Sequence, residues 1–96
     1  MTTALVLLRV ARDEVNAVAQ KLADMEGITE VYSVAGRYDL VAVIRVKENE
    51  KLAEVVTDNI RKVKGIERSE TLIAFRVYSR YDLEMAFSIG MERKAK

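Results

Sequence analysis

Cysteine and histidine are both absent from this sequence of 96 residues. Without cysteine there are no disulfides and no thiol nucleophiles, and without histidine there is no imidazole general base. Together the two absences exclude zinc sites built from the usual Cys and His ligands. The sequence contains no other convincing catalytic centre, so we expect a protein that is not an enzyme and that needs no cofactor and no metal.

Long hydrophobic runs and a strong charge of one sign are also missing. The apolar run at residues 4–8 is closed by Arg9, is too short to cross a bilayer, and lacks the features of a signal peptide. Lys and Arg number 16 against 15 Asp and Glu, and the one basic block is the tail at 93–96. Proteins that bind nucleic acid usually carry a basic stripe, and none is visible. We therefore expect a cytoplasmic protein without direct contact to DNA or membrane.

What the sequence does contain is apolar residues, which make up 50% of it. A chain of this length forms one domain, which buries only about 60–65% of its unfolded surface. An apolar content this high in so small a protein indicates that part of the apolar surface is buried against another chain.

Hydrophobic periodicity predicts six elements in the order strand, helix, strand, strand, helix, strand. The strands are expected at residues 3–10, 28–34, 38–47 and 66–78, the helices at 13–25 and 49–65, and an appended helix at 80–91. Leu8-Arg9-Val10 recurs as Ile44-Arg45-Val46, and 25–28 resembles 63–66, at an offset of roughly 36–38 positions. Two β-α-β halves of this kind build the ferredoxin-like fold. We expect an α+β domain over 1–96, with a core at 3–78 and a C-terminal extension at 79–96.

Both helices of this fold lie on one side of a four-stranded antiparallel sheet, and strand alternation assigns the side chains to its two faces. The residues expected to face the helices are Ala4, Val6, Leu8, Val10, Leu40, Ala42, Ile44, Val46, Ile73, Phe75 and Val77. The other face is apolar too, with two arginines at its rim: Leu5, Leu7, Val41, Val43, Leu72 and Ala74, with Arg9 and Arg45.

Leaving that second face in water would forfeit much of the driving force for folding, because burying each such side chain contributes about 1.5–3 kcal/mol. We expect a second copy of the chain to cover it, sheet against sheet, which makes a dimeric α+β barrel. In the alternative, the appended segment folds back over this face within one chain.

Two stretches of the sequence resemble a known family. They are Gly27-Ile28-x-x-Val31-Tyr32-x-Val34-x-Gly36-x-Tyr38-Asp39-Leu40 and Gly65-Ile66-x-x-x-Glu70-Thr71. The pattern resembles the effector-binding domain of the Lrp/AsnC transcription regulators, also called the RAM domain, and it extends over residues 3–78. Regulators of this family carry a helix-turn-helix before the domain, whereas nothing precedes the first strand here. The expectation is therefore a stand-alone RAM protein.

The resemblance implies dimers that meet through their sheet faces, rings of dimers that are often octamers, and an amino-acid effector bound between dimers. It also implies full-length Lrp/AsnC regulators as partners. By position, the ligand-binding residues come from the turn and from the start of the last strand of a neighbouring dimer: Gly36, Arg37, Tyr38 and Asp39, with Ser69, Glu70 and Thr71.

The turn at 36–39 has the chemistry to hold a zwitterion. Gly36 accommodates positive φ and close approach of a ligand, and the backbone N–H groups of such a turn can form a nest for a carboxylate. Asp39 can accept a hydrogen bond from an ammonium group, and Arg37 would favour an acidic ligand. The alternative is that Gly36 and Asp39 only build the turn, with Asp39 accepting local backbone hydrogen bonds.

Two other functions remain open at this point. Dimeric α+β barrels include monooxygenase-like enzymes, which place polar catalytic groups between sheet and helices, but that face is apolar here. The chain could also be a purely structural assembly module without a small ligand.

Overall fold

A computed structural model of the chain describes residues 1–78 and 80. The elements, in chain order, are strand β1 (Thr2–Val10), a 3-10 turn (Arg12–Glu14), helix α1 (Val15–Ala23), strands β2 (Ile28–Ser33) and β3 (Leu40–Val46), helix α2 (Asn49–Ala53), a π-helical segment (Glu54–Asn59), a second 3-10 turn (Ile60–Lys62) and strand β4 (Ile66–Ile73). The β-α-β-β-α-β order is confirmed. The predicted helix at 80–91 lies outside the described residues, except for Arg80.

The four strands form one sheet in the order β2-β3-β1-β4, and every neighbouring pair is antiparallel. The two central strands are β1 and β3, which pair from Thr2 opposite Val46 to Leu8 opposite Leu40. This is the predicted ferredoxin-like α+β sheet, with both helices on one side. No helix in the described part of the chain is long and apolar enough to span a membrane.

The core lies between the sheet and the helices. On the sheet side it consists mainly of alternate residues of the two central strands, because successive side chains of a strand point to opposite faces. The buried side chains are Ala4, Val6, Leu8, Val10, Ile28, Leu40, Ala42, Ile44 and Val46 from the strands, and Val18, Leu22, Leu52, Val55, Ile60 and Val63 from the helical segments and the loop that follows them. The predicted helix-facing set of β1 and β3 is confirmed in full.

The second helical segment departs from the single α-helix predicted at 49–65. After Ala53 it continues as a π-helix, in which hydrogen bonds span five residues, to Asn59. Val55 and Ile60 are five positions apart and both are buried. The wider turn brings both onto the sheet, which a regular α-helix with 3.6 residues per turn would not do.

The prediction for the last strand is wrong beyond Ile73. Its final backbone hydrogen bond runs from the Ala74 N–H to the Thr3 carbonyl, at 2.9 Å. β1 begins at Thr2, so the antiparallel partner ends there and β4 has nothing further to pair with. Phe75 is fully exposed and Val77 is exposed, and neither faces the helices as expected.

The opposite face of the sheet is apolar and has no covering element among the described residues. Leu5 and Leu72, which are paired across β1 and β4, remain 36% and 44% exposed. Val43 differs from the expectation, since it is only 6% exposed. The register places it between Leu5 of β1 and Glu30 of β2, which shield it on both sides, so it has little surface left to offer a partner.

Gly27 provides a test of how tightly the helical layer is packed. Its φ is +96°, and a Cβ there would lie 3.0 Å from Val55 Cγ2 and 3.1 Å from Val46 Cγ1. Gly27→Ala therefore suffers both backbone strain, about 1–3 kcal/mol, and a steric clash in the core. Gly36 has a φ of +135° but no atom within 4 Å of the added Cβ, so Gly36→Ala suffers strain alone. Urea denaturation should show a larger loss of unfolding free energy for Gly27→Ala, and equal losses would contradict the packing described here.

Candidate functional site

The connection between β2 and β3 forms a polar tip at one end of the sheet, which we call the hairpin tip (residues 34–39). The Val34 N–H donates to the Asp39 carbonyl at 3.0 Å, and the Asp39 N–H donates to the Leu8 carbonyl at 2.8 Å. These two bonds close the turn and fix it against the end of β1. The position of the tip is therefore set by the central strand of the sheet.

Asp39 has a structural role of its own. Its Oδ2 accepts a hydrogen bond from the Val10 N–H at 2.8 Å. Val10 lies next to a shift in the register of β1 and β4, where the ladder is irregular, so the carboxylate pairs a buried backbone donor. The bond agrees with the alternative in which Asp39 accepts backbone hydrogen bonds and has a structural role. The donor, however, is an amide of β1 and not one of the turn itself. Among the described residues no hydrogen bond to Oδ1 is found, and a ligand-binding role for Asp39 stays a prediction.

Tyr38 joins the hairpin tip to β4. Its hydroxyl donates a hydrogen bond to Glu70 Oε1 at 2.5 Å. That hydrogen bond, followed by desolvation and the negative charge of Glu70, raises the pKa of Tyr38, while Arg68 and Arg37 act in the opposite direction. The resemblance implied that the two segments come from neighbouring dimers, yet one chain already brings Tyr38 and Glu70 together.

The other two residues predicted on β4 lie on the opposite side of that strand. Ser69 pairs with Leu8 and Thr71 with Val6, both of which face the helices, whereas Glu70 pairs with Leu7 on the open face. Because side chains alternate along a strand, Ser69 and Thr71 do not share a face with Glu70. Within one chain, these two side chains therefore do not lie at the tip beside Glu70. Their ligand-binding role stays a prediction.

Arg9 reaches the hairpin tip, and its expected place at the rim of a dimer interface stays a prediction. Its Nη1 donates to the Arg37 carbonyl at 3.0 Å. On β4, Arg68 lies directly opposite Arg9. Neither arginine was predicted as a tip residue. Their closeness depends on the register in which β1 pairs with β4, and hydrophobic periodicity does not reveal that register.

Arg45 lies at the other end of β3 and is neutralised inside the chain. Its Nη1 donates to Thr29 Oγ1 at 2.9 Å and lies 3.6 Å from Glu30 Oε1. Glu30 Oε2 accepts a further bond from the Tyr32 hydroxyl at 2.9 Å, which raises the pKa of Tyr32.

Near this end of β3 an open cleft of about 310 Å³ lies between Gly27 and the start of the second helical segment. Within the described ranges, no group of three or more acidic side chains is arranged to hold a metal ion.

Comparison with known proteins decides the family. Residues 3–83 match the family model described as the Lrp/AsnC ligand binding domain. The chain belongs to the Lrp/AsnC ligand-binding domain family. The resemblance drawn from the turn and from the Gly65 motif is confirmed by this match.

Three similar proteins show how far the likeness of sequence and fold extends. The crystal structure of TTHA0845 from Thermus thermophilus has 49% identity and a TM-score of 0.78, and the match covers 83% of this chain and 100% of that one. An uncharacterized HTH-type transcriptional regulator of Pyrococcus horikoshii, PH1916, is 32% identical over 77% of this chain and 51% of its own length. The NMB0573/L-Met complex from Neisseria meningitidis is 11% identical with a TM-score of 0.73, over 82% of this chain and 53% of that one, and shows the shared fold alone. The Lrp/AsnC chain described here thus spans about half the length of the curated relatives it matches.

Substitution can separate the structural role of Asp39, its bond to the Val10 amide, from its proposed role in ligand binding. Asp39→Ala leaves the Val10 amide without a partner, and we expect a loss of about 1–3 kcal/mol in unfolding free energy. Asp39→Asn keeps an oxygen acceptor and should retain most of that stability. Urea denaturation at matched protomer concentration measures both. If Asp39→Ala were as stable as the parent protein, the bond to Val10 would contribute nothing to the fold.

The Tyr38 bond can be tested by titration. Glu70→Ala removes the acceptor and the negative charge, so the pKa of Tyr38 should fall toward its ordinary value. Tyr32, whose pKa is raised by Glu30, serves as the internal control and should not change. NMR of protein labelled at the tyrosine ring carbons follows both residues. An unchanged Tyr38 pKa in Glu70→Ala would show that the two side chains do not meet in solution.

Proposed function

We propose that this Lrp/AsnC domain is a non-enzymatic sensor that binds an amino acid or a related small metabolite at the hairpin tip and assembles into homo-oligomers. The observation that carries the proposal is the combination of an apolar sheet face that no described element covers with a polar tip at one end of the same sheet. The face supports association, and the tip supports recognition of a small polar ligand. Membership of a ligand-binding domain family supports the same assignment.

The open face is the surface through which two copies meet. Leu5 and Leu72 are partly exposed, and Leu7 and Val41 lie beside them, half-buried. Covering these side chains with an identical sheet buries them at a favourable free energy of about 25 cal/mol per Å² of apolar surface. The dimer formed in this way is the unit that builds a ring, with the octamer as the expected size.

The tip offers complementary groups for an amino acid. The exposed turn around Gly36 presents backbone N–H donors to a carboxylate, and Asp39 Oδ1 accepts a charge-assisted hydrogen bond from an ammonium group. A protein of the same fold has been crystallised with L-methionine, which agrees with a ligand of this class. Because the tip lies at the edge of the sheet, a ligand held between two dimers would stabilise their contact, and its binding would be coupled to assembly.

The chemistry of the core supports a role without catalysis. The space between sheet and helices, where α+β barrel enzymes keep polar groups, is filled here by aliphatic side chains such as Leu8, Leu22 and Ile44. The proposed partners are instead full-length Lrp/AsnC regulators in the cytoplasm, through which the ligand state would affect transcription or amino-acid metabolism. This domain itself is proposed not to bind DNA.

A thermal-shift screen against the twenty amino acids tests the proposal. A ligand that binds the native state at 100 times its Kd adds about 2.7 kcal/mol to the apparent stability, which is an easily measured rise in Tm. At least one amino acid should raise the Tm, and Asp39→Asn, which keeps the fold, should lose that rise. If no amino acid changes the Tm of an intact oligomer, the domain is a structural assembly module and the proposed sensor role is wrong.

A further inference from the structure

Three arginines converge on the hairpin tip. Arg9 of β1 and Arg68 of β4 lie directly opposite each other in the strand register. Arg9 also donates through Nη1 to the carbonyl oxygen of Arg37 in the turn, at 3.0 Å. Like charges directly opposite on adjacent strands are destabilising, so this pairing needs a compensating partner.

No carboxylate in the described part of the chain forms a salt bridge with these arginines. The two salt bridges found there join Arg45 to Glu30 and Lys51 to Glu54. The two acidic residues at the tip already accept hydrogen bonds from other groups, Asp39 from the Val10 amide and Glu70 from the Tyr38 hydroxyl. Among the described residues, the tip therefore carries three guanidinium groups and two carboxylates, which leaves an excess of positive charge.

The internal repeat supplies a matched comparison. Arg9 and Arg45 occupy equivalent positions in Leu8-Arg9-Val10 and Ile44-Arg45-Val46. Arg45 lies opposite Thr3 and has Glu30 within 3.6 Å, so its charge is balanced inside the chain. Arg9 lies opposite another arginine, and its observed bond is to a neutral carbonyl. Of two equivalent arginines, the one at the hairpin tip therefore has no carboxylate partner among residues 1–78.

We infer that the ligand of the tip is a small acid with two carboxylates, such as an amino acid with an acidic side chain, whose second carboxylate is held by Arg9, Arg37 and Arg68. The inference rests on the proposed function and names the ligand class of that same site. A guanidinium group has five N–H donors in a fixed fork that matches a carboxylate, and among the described residues a single acceptor, the Arg37 carbonyl, bonds to Arg9. The turn amides and Asp39 would hold the amino-acid end of the same molecule.

The inference is tested by calorimetry on the full chain in its native oligomeric state. The ligands are L-glutamate and L-aspartate, their neutral amides L-glutamine and L-asparagine, and the dicarboxylates glutarate and succinate. We expect the acids to bind at least tenfold more tightly than their amides. If glutarate or succinate binds as tightly as the amino acids, the site recognises a dicarboxylate and needs no ammonium group. The inference that the arginines bind a carboxylate still holds in that case.

Two variants that each remove one positive charge distinguish an effect of the tip arginines from a general effect of surface charge. Arg68→Gln should weaken binding of the acid at least tenfold and leave amide binding unchanged, while raising the Tm of the ligand-free protein because the repulsion with Arg9 is relieved. Arg61→Gln, an exposed arginine on the helical side, should change neither binding nor Tm. A ligand-binding role and a purely structural role therefore predict different results for Arg68→Gln.

Several results would overturn the inference. Equal affinity for acids and amides, or an unchanged affinity for the acid in Arg68→Gln, would show that the arginines do not bind a carboxylate. A change in oligomer mass without a change in affinity would show that they contact acidic residues of another copy instead. If only a neutral amino acid binds, and Asp39→Asn abolishes that binding, the inference fails while the proposed sensor role stands. If nothing in this panel binds, the inference fails, and if none of the twenty amino acids of the thermal-shift screen binds either, the proposed sensor role fails with it.

Discussion

The structure depends on a mismatch between one small sheet and its helices. The central strands β1 and β3 are apolar on both faces, but both helices cover only one of them. Leu8 and Leu40 pack beneath the helices, whereas Leu5 and Leu72 remain partly exposed on the other side. Since the hydrophobic effect is the main favourable contribution to folding and association, a face that the described residues leave uncovered favours the proposed association of two copies.

The hairpin tip is tied to that same central strand. The Asp39 backbone donates to the Leu8 carbonyl, and the Asp39 carboxylate accepts from the Val10 amide, so two hydrogen bonds join the end of β1 to the turn. Tyr38 extends the connection to Glu70 on β4. The proposed ligand site is thereby linked through short contacts to the strands that form the open face. This continuity is a physical route by which occupancy and assembly could affect each other.

Much of the fold could be predicted from the sequence, because the alternation of apolar residues in β1 and β3 is regular and Gly27 and Gly65 mark where the helical segments end. The errors have physical causes. Phe75 and Val77 continue the apolar alternation of β4, but the strand stops because β1 has no residues left to pair with. The π-helical turn that buries both Val55 and Ile60 has no signature in periodicity. At the site, the turn was recognisable from Gly36 and Asp39, whereas the part played by Arg9 and Arg68 depends on cross-strand register, which only the three-dimensional structure supplies.

The most direct test of the central claim is the mass of the full chain in solution. Sedimentation equilibrium at micromolar protomer concentration measures it without a ligand or a label. We predict a dimer or a larger closed assembly of dimers, because a monomer would leave Leu5 and Leu72 in water. A well-folded monomer under these conditions would contradict the account and would mean that the C-terminal extension at 79–96 covers the open face within one chain.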